Sequence, residues 1–315
     1  MSHGAVFIVN PQAGGGRTAA RLDSLRRMVE HLFPSGQVVV TRGPGHASEL
    51  AASATDAGAT MVIAVGGDGT ASEVVNGFLL DGAPRRGRLP EFSVIPAGTG
   101  GDLARYLGIS ADWEVSLPWL AGSVARDADL YVATVATPDG SRRVRAGVNV
   151  LGFGMAGEVV RRVNAGSKLI GGAWPFLSAT VRSLMTYRPP LVTVRWGGPN
   201  GEGEATLPLM NGFLANGSYC GGGMWVGEGG RIDDGLLDLT LVPELPLNRS
   251  LPGLVKLYRG GLDGERDFVR ARVAWIEASS SSGAPVLVDV DGESPGQLPL
   301  RVEVLANVLP IHGRW

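Results

Sequence analysis

Residues 62–78 read VIAVGGDGTASEVVNGF. A run of small apolar residues, the pattern of a buried strand, breaks into Gly66-Gly67-Asp68-Gly69-Thr70, and a helix-like pattern follows. Glycines let main-chain N–H groups converge with no side chain in the way, and a helix N-terminus adds positive potential. The stretch is therefore suited to cradle a phosphate. Asp68 would not itself welcome one; it makes sense holding a Mg²⁺ that bridges phosphate oxygens, or orienting an attacking hydroxyl. The plainer reading is a tight strand-to-helix turn with Asp68 as a cap.

The device recurs. NPQAGGGR (10–17) follows the strand-like AVFIVN, and SVIPAGTGGDLAR (93–105) again runs strand, glycines around Thr99, then Asp102 at a helix start. Between them, strand patterns at 37–41 and 60–66 alternate with helical spacing at 18–33, 46–58 and 72–80. That alternation predicts an α/β layer with a largely parallel sheet, whose ligands sit at the carboxyl ends of the strands where these loops fall. There is no G-x-x-x-x-G-K-[ST], and no G-x-G-x-x-G follows a strand, so neither a Walker-type nor a dinucleotide-type site is present.

From about Asp129 the texture changes. LYVATVATPDGSRRVRAGVNV reads as a hairpin around Pro138-Asp139-Gly140, and LVTVRW, MNGFLANG, LLDLTLV, RVAWIEAS and VLVDVDG are further short strands. Helices are expected near 174–187 and 247–261. The chain of 315 residues thus divides into an α/β domain over 1–128, joined by 304–315, and a β-rich domain over 129–303. Twenty-eight basic against 30 acidic residues remove the footprint of a nucleic-acid binder and leave no polybasic lipid anchor. A single cysteine, Cys220, excludes an intrachain disulfide and fits a reducing cytosol. No apolar run reaches the roughly 18 residues of a membrane span. A cytoplasmic protein is expected.

The ordered blocks NPQAGGGR, VGGDGTASEVVNGF and IPAGTGGDLAR resemble the diacylglycerol-kinase-type lipid kinases, a family that includes sphingosine and ceramide kinases. GFGMAGEVVRRVN, NGSYCGGGMWVGEGGRIDDGLLDLTLV, LVKLYRGG and VDVDGE continue the resemblance over nearly the whole chain. It implies an N-terminal nucleotide domain like those of NAD kinase and phosphofructokinase, a β-rich second domain, and an active site in the cleft between them. By the same resemblance Asn10, Thr41, Gly66, Gly67, Asp68, Gly69, Thr70, Ala71, Ser72 and Thr99 contact ATP. Glu293 is the general base, with Asp68 also catalytic. Asp234, with the carbonyls of Arg231 and Leu236, holds a structural Mg²⁺.

The activity implied is transfer of the γ-phosphate of ATP to a lipid hydroxyl, diacylglycerol foremost, by an enzyme that touches the membrane transiently; exposed strands expected in the β-rich domain leave room for a homodimer. A kinase for a soluble acceptor such as NAD and a non-catalytic nucleotide or lipid sensor are the alternatives. Taken alone, Asp291-Gly292 is a hairpin turn with Glu293 a solvated charge, and DDGLLD a polar turn. Phe176, Leu177, Val181, Leu184 and Met185 share a helix side that faces either the core or an acyl chain. Trp174 and Trp225 are candidates for a lipid interface. Three positions depart from the family's pattern: Gly101 replaces its usual Asn, Ser72 stands where Asn is common, and VGEGG replaces a proline-containing turn.

Overall fold

The computed structural model describes residues 3–97, 101–165, 174–227, 229–259, 267–281 and 283–315. It forms two compact units, Met1–Ala128 with Asn307–Trp315, and Asp129–Ala306.

In the first unit β1 (His3–Val9), β2 (Gln37–Val40), β3 (Ala59–Gly66) and β4 (Glu91–Pro96) run parallel in the order β2-β1-β3-β4, and Ile311 pairs beside Phe92 at the far edge. Helices α1 (Leu22–Leu32), α2 (His46–Ala57), α3 (Asp68–Gly77), α4 (Asp102–Tyr106) and α5 (Trp113–Gly122) complete the layer. The last five residues of β3 are all buried, as expected of a parallel strand covered on both faces. Leu25 and Val29, one turn apart on α1, join Phe7, Val9, Ile63, Val65, Ile95 and Trp113 in the core.

Two helices differ from their sequence patterns. The 18–33 pattern breaks at Arg21, leaving a single turn at Arg17–Ala20 before α1. α3 starts four residues before the expected 72, because one extended residue, Gly67 (φ −100°, ψ −173°), suffices to switch from strand to helix. α5 was not expected; its signal was Asp112, whose carboxylate accepts the Glu114 N–H at 3.0 Å as an N-cap.

In the second unit β5 (Arg126–Ala136) and β6 (Arg142–Gly147) form the expected hairpin. After β7 (Val150–Gly154) come α6 (Met155–Ala165) and α7 (Trp174–Thr186), then β8 (Leu191–Gly198) and β9 (Gly201–Ala215). The chain continues through β10 (Leu237–Pro243), α8 (Leu247–Arg259), β11 (Val269–Val273), β12 (Trp275–Ser280), β13 (Leu287–Val290) and β14 (Glu293–Ile311). The antiparallel order is β11-β10-β9-β8-β12-β14, with β7 pairing β9 and β13. β9 alternates exposure over its first half and is buried throughout its second, where β10 and β7 flank it. Its core is Val, Leu and Ile from these strands. Among the described residues no helix is long and apolar enough to cross a membrane.

Candidate active site

Asn10 follows the end of β1; its Oδ1 accepts the Gln12 N–H at 3.0 Å and its Nδ2 donates to Thr70 Oγ1 at 3.2 Å. Gly14, Gly15 and Gly16 then follow with φ of +62°, +68° and +88°, a left-handed run that L side chains resist. At the end of β3, a Cβ on Gly66 would lie only 2.4 Å from Thr70 Oγ1. Glycine there is what lets Thr70 fold back onto the strand and meet Asn10. Gly67 and Gly69 have nothing within 4 Å of a Cβ position, so their bareness serves open space beside the start of α3. A helix start presents N–H groups without intrahelical partners, and these suit an anion.

Asp68 faces the third loop. Its Oδ2 accepts the Gly101 and Asp102 N–H groups at 2.9 and 3.2 Å, and its Oδ1 accepts that of Leu103 at 3.3 Å. It thus caps α4 from a distance of more than thirty residues in sequence, a job Gly101 lacks the side chain to do. Gly101 itself has φ +110°, a region Gly enters freely and Asn more readily than other residues, so the replacement of Asn keeps the backbone shape. Ala97 N–H donates to the Gly66 carbonyl at 2.9 Å. Loops one, two and three are therefore tied together through Asn10–Thr70, Asp68 and Gly66.

Thr41 is buried at the end of β2, its N–H on the Val9 carbonyl at 2.9 Å. Ala71 and Ser72 are buried in α3, and the Thr70 and Ala71 N–H groups already donate to the Gly67 carbonyl at 3.0 and 3.2 Å. Thr99 lies outside the described residues. Two cations escaped the sequence reading: Arg17, whose Nε donates to the Gly14 carbonyl at 2.9 Å, and Arg21, stacked 4.2 Å over the Trp113 ring. With Thr18 and Pro96 they line a cavity of about 210 Å³. Arg17 was visible as the last residue of NPQAGGGR.

In the second unit Glu293 is half-buried and pairs with Val290 across Asp291-Gly292, whose φ values of +48° and +87° make the two-residue turn expected from Asp-Gly. The turn does more than reverse the chain. Asp291 gathers the Tyr131 hydroxyl at 2.8 Å and the N–H groups of Val148, Asn149 and Val150 at 2.8, 3.1 and 3.0 Å. Burial pushes its pKa up to about 6, against the opposing effect of those donors. Burial raises Asp289 well above the carboxylate range too, with Asp291 and Glu293 adding to it, while its Oδ1 accepts the Gly292 N–H at 2.8 Å. Tyr131 is raised by burial and by Asp291. Neither Asp289, Asp291 nor Tyr131 was singled out from sequence, although VDVDGE alternates acids in an apolar strand.

Arg231, Asp234 and Leu236 lie in one loop before β10. Asp234 Oδ1 accepts the Leu236 N–H at 3.1 Å and its Oδ2 pairs with the Arg272 guanidinium. Arg231 pairs with Asp233 at 3.1 Å. Asp129, fully buried, takes the Gly235 N–H on Oδ2 at 2.6 Å, another contact sequence reading missed. Among the described residues no group of three or more His, Cys, Asp or Glu is placed to hold a metal. The residues present do not fit the structural Mg²⁺ that the resemblance assigned here, because a guanidinium already serves as the cation on Asp234.

Of the expected apolar helix side, Leu184 packs into a cluster with Met155, Val159, Met210, Phe213 and Val226, beside Cys220, Met224 and Leu257. Met185 is 74% exposed and Val181 37%. The side chains of Trp174, Phe176 and Leu177 lie outside the described residues. Trp225 donates its indole N–H to the Gly227 carbonyl at 2.9 Å.

Residues 4–133 match the family model of the diacylglycerol kinase catalytic domain, and residues 149–313 that of the YegS C-terminal NAD kinase beta sandwich-like domain. A curated relative called "Probable lipid kinase YegS-like" from Xanthomonas euvesicatoria pv. vesicatoria is 30% identical, spanning 94% of this chain and 93% of its own. One of the same name from Stenotrophomonas maltophilia is 29% identical over 92% of this chain and 91% of its own. The crystal structure of a diacylglycerol kinase from Bacillus anthracis str. Sterne covers 99% of this chain and 97% of its own with a TM-score of 0.71; at 21% identity that likeness shows the fold. The chain belongs to the diacylglycerol-kinase-type lipid kinase family. It is a kinase with a catalytic unit first and a β-rich unit second.

Proposed function

We propose that this lipid kinase uses ATP and that its acceptor is the hydroxyl of a lipid alcohol, diacylglycerol foremost. The observation that carries the reading is the three-loop junction, in which Asn10, Thr70, Asp68 and Gly66 hold a bare helix start in one shape. Phosphoryl transfer asks chiefly for alignment and charge neutralisation, and a pre-set cradle of N–H groups supplies both without reorganising. In this reading the main chain of 66–72, with Asn10, Thr41 and Thr99, holds the nucleotide, and Arg17 and Arg21 add positive charge nearby. Mg²⁺ bound with ATP would neutralise charge on its phosphates. Asp68 is spent on three amide N–H groups, so its part is to position the third loop.

The acceptor oxygen attacks the γ-phosphorus, the bond from that phosphorus to the ADP oxygen breaks, and the hydroxyl proton passes to Glu293. The half-buried apolar residues around Met224, Leu184 and Leu257 suit an acyl chain. Exposed Val181, Met185 and Val255, interspersed with exposed Arg182, Arg188, Lys256 and Arg259, suit transient contact with an anionic bilayer. The test is incubation with γ-labelled ATP, Mg²⁺ and a total lipid extract. Label in the solvent-extracted lipid, lost in Glu293→Gln, supports the reading. Label that stays aqueous on an acceptor such as NAD overturns it.

A further inference from the structure

Strand register places a cation beside the 231–236 loop. Asp238 on β10 stands directly opposite Arg272 on β11 in the antiparallel ladder. From that position the guanidinium reaches two carboxylates, pairing through one nitrogen with Asp234 Oδ2 and through Nε with Asp238 Oδ1 at 3.7 Å. Asp238 is partly buried. Two acids this close in a partly dry site need a counter-charge. A planar fork of five N–H donors meets two carboxylates at once, which a lysine ammonium does less well.

The loop is also tied from within the chain at three further points. The Ile232 carbonyl accepts the Asp129 N–H at 2.6 Å, the Gly235 N–H goes to Asp129 Oδ2, and the Leu236 N–H goes to Asp234 Oδ1. A Mg²⁺ ion held here would draw on the Asp234 carboxylate, whose Oδ1 already accepts the Leu236 N–H and whose Oδ2 already pairs with Arg272. We propose that Arg272 supplies, from inside the chain, the positive charge that the family resemblance gives to a divalent ion, so that the 231–236 loop closes without metal. The ladder fixes the cation, so loop geometry becomes independent of the Mg²⁺ supply. Any Mg²⁺ requirement of the enzyme then belongs to the nucleotide alone.

The experiment needs neither ATP nor lipid, so its failure is distinguishable from failure of the lipid-kinase reading. The nucleotide-free protein, stripped with a chelator, is melted with and without added Mg²⁺, and its metal content is measured after dialysis against Mg²⁺. The wild type is expected to melt at the same temperature in both states and to retain no ion. Arg272→Met is expected to melt lower and to regain part of the loss with Mg²⁺, because two carboxylates are left without a counter-charge. A wild-type melting point that Mg²⁺ raises, with the rise abolished by Asp234→Asn, overturns the proposal; a rise that survives Asp234→Asn arises elsewhere and leaves it standing. A folded Arg272→Met with unchanged melting and no Mg²⁺ response also overturns it. Should that variant fail to fold, the wild-type ion content and the Asp234→Asn melt decide alone.

Discussion

Both units use carboxylates to gather main-chain N–H groups, but they do so at very different depths. In the α/β unit, two acids on α3 cap the starts of other helices: Asp68 serves α4, and Glu73 accepts the Gly45 and Ala47 N–H groups at 2.9 and 3.0 Å ahead of α2. Neither is fully buried, so their charge keeps part of its hydration. In the β-rich unit Asp291 and Asp129 do the equivalent work from the interior, where strand ends and turns have no dipole to help them. A helix cap is a local device that water can share. A buried hub fixes several loops at once, and its ionisation is opposed by its surroundings. The second unit should therefore respond to pH through its buried hub at Asp291.

The largest effect expected is kinetic. Glu293→Gln keeps the shape of the side chain and the hairpin, so folding should be little changed, while loss of a general base costs about 10²–10⁴-fold in turnover. A folded variant with near-wild-type kcat would remove Glu293 as the base and leave the second unit's acids with a purely architectural part.

Next comes the pH response of the buried hub. The folded pKa of Asp291, about 6, lies above its ordinary value of 3.8. Between those values the folded state keeps a proton that the unfolded state has lost. The stabilising contribution is therefore full below the lower value and disappears as pH rises through the upper one. The shift corresponds to a difference on the order of 3 kcal/mol across that window. Urea unfolding of wild type and Asp291→Asn through the window should show the wild type losing stability relative to the variant. Asp289 is raised chiefly by its own burial, with Asp291 adding to it, so losing that addition in the variant acts in the same direction as the difference expected. Parallel curves would mean that ionisation of the hub is not coupled to folding.

Sequence legibility divided along the same line. The parallel layer could be read because each of its strands is short, apolar and followed by a glycine loop, a purely local code. The position of Glu293 after a two-residue turn was equally local. What could not be read were partnerships across the chain. The capping of α4 by Asp68 was invisible because its three N–H partners lie more than thirty residues on. The contact of Asp234 with Arg272 was invisible because it forms only once β10 and β11 are in register. α6 was hidden inside GFGMAGEVVRRVN, where glycines mask a helix whose Val159 and Val160 are buried. β9 was seen only as MNGFLANG because its first half alternates too weakly to announce a strand of 15 residues.

The finest comparison is between the two caps that α3 carries for its neighbours α4 and α2. Asp68→Asn replaces a pure acceptor by an amide that offers one oxygen to three N–H groups, so α4 should lose about 1 kcal/mol of anchoring, within the usual range for a lost cap. Glu73→Gln should cost a similar or smaller amount at the start of α2, since it too keeps one acceptor oxygen. Their stabilities should thus be close, yet their activities should differ. Asp68 ties together two of the loops that shape the cradle, whereas Glu73 ties a helix start that carries none of the three glycine motifs. Measured side by side, Asp68→Asn should lower kcat/KM for the nucleotide well beyond its change in melting temperature, and Glu73→Gln should change the two in proportion. Equal kinetic losses from the two variants would show that the cradle depends on the overall packing of α3, and that Asp68 positions no loop in particular.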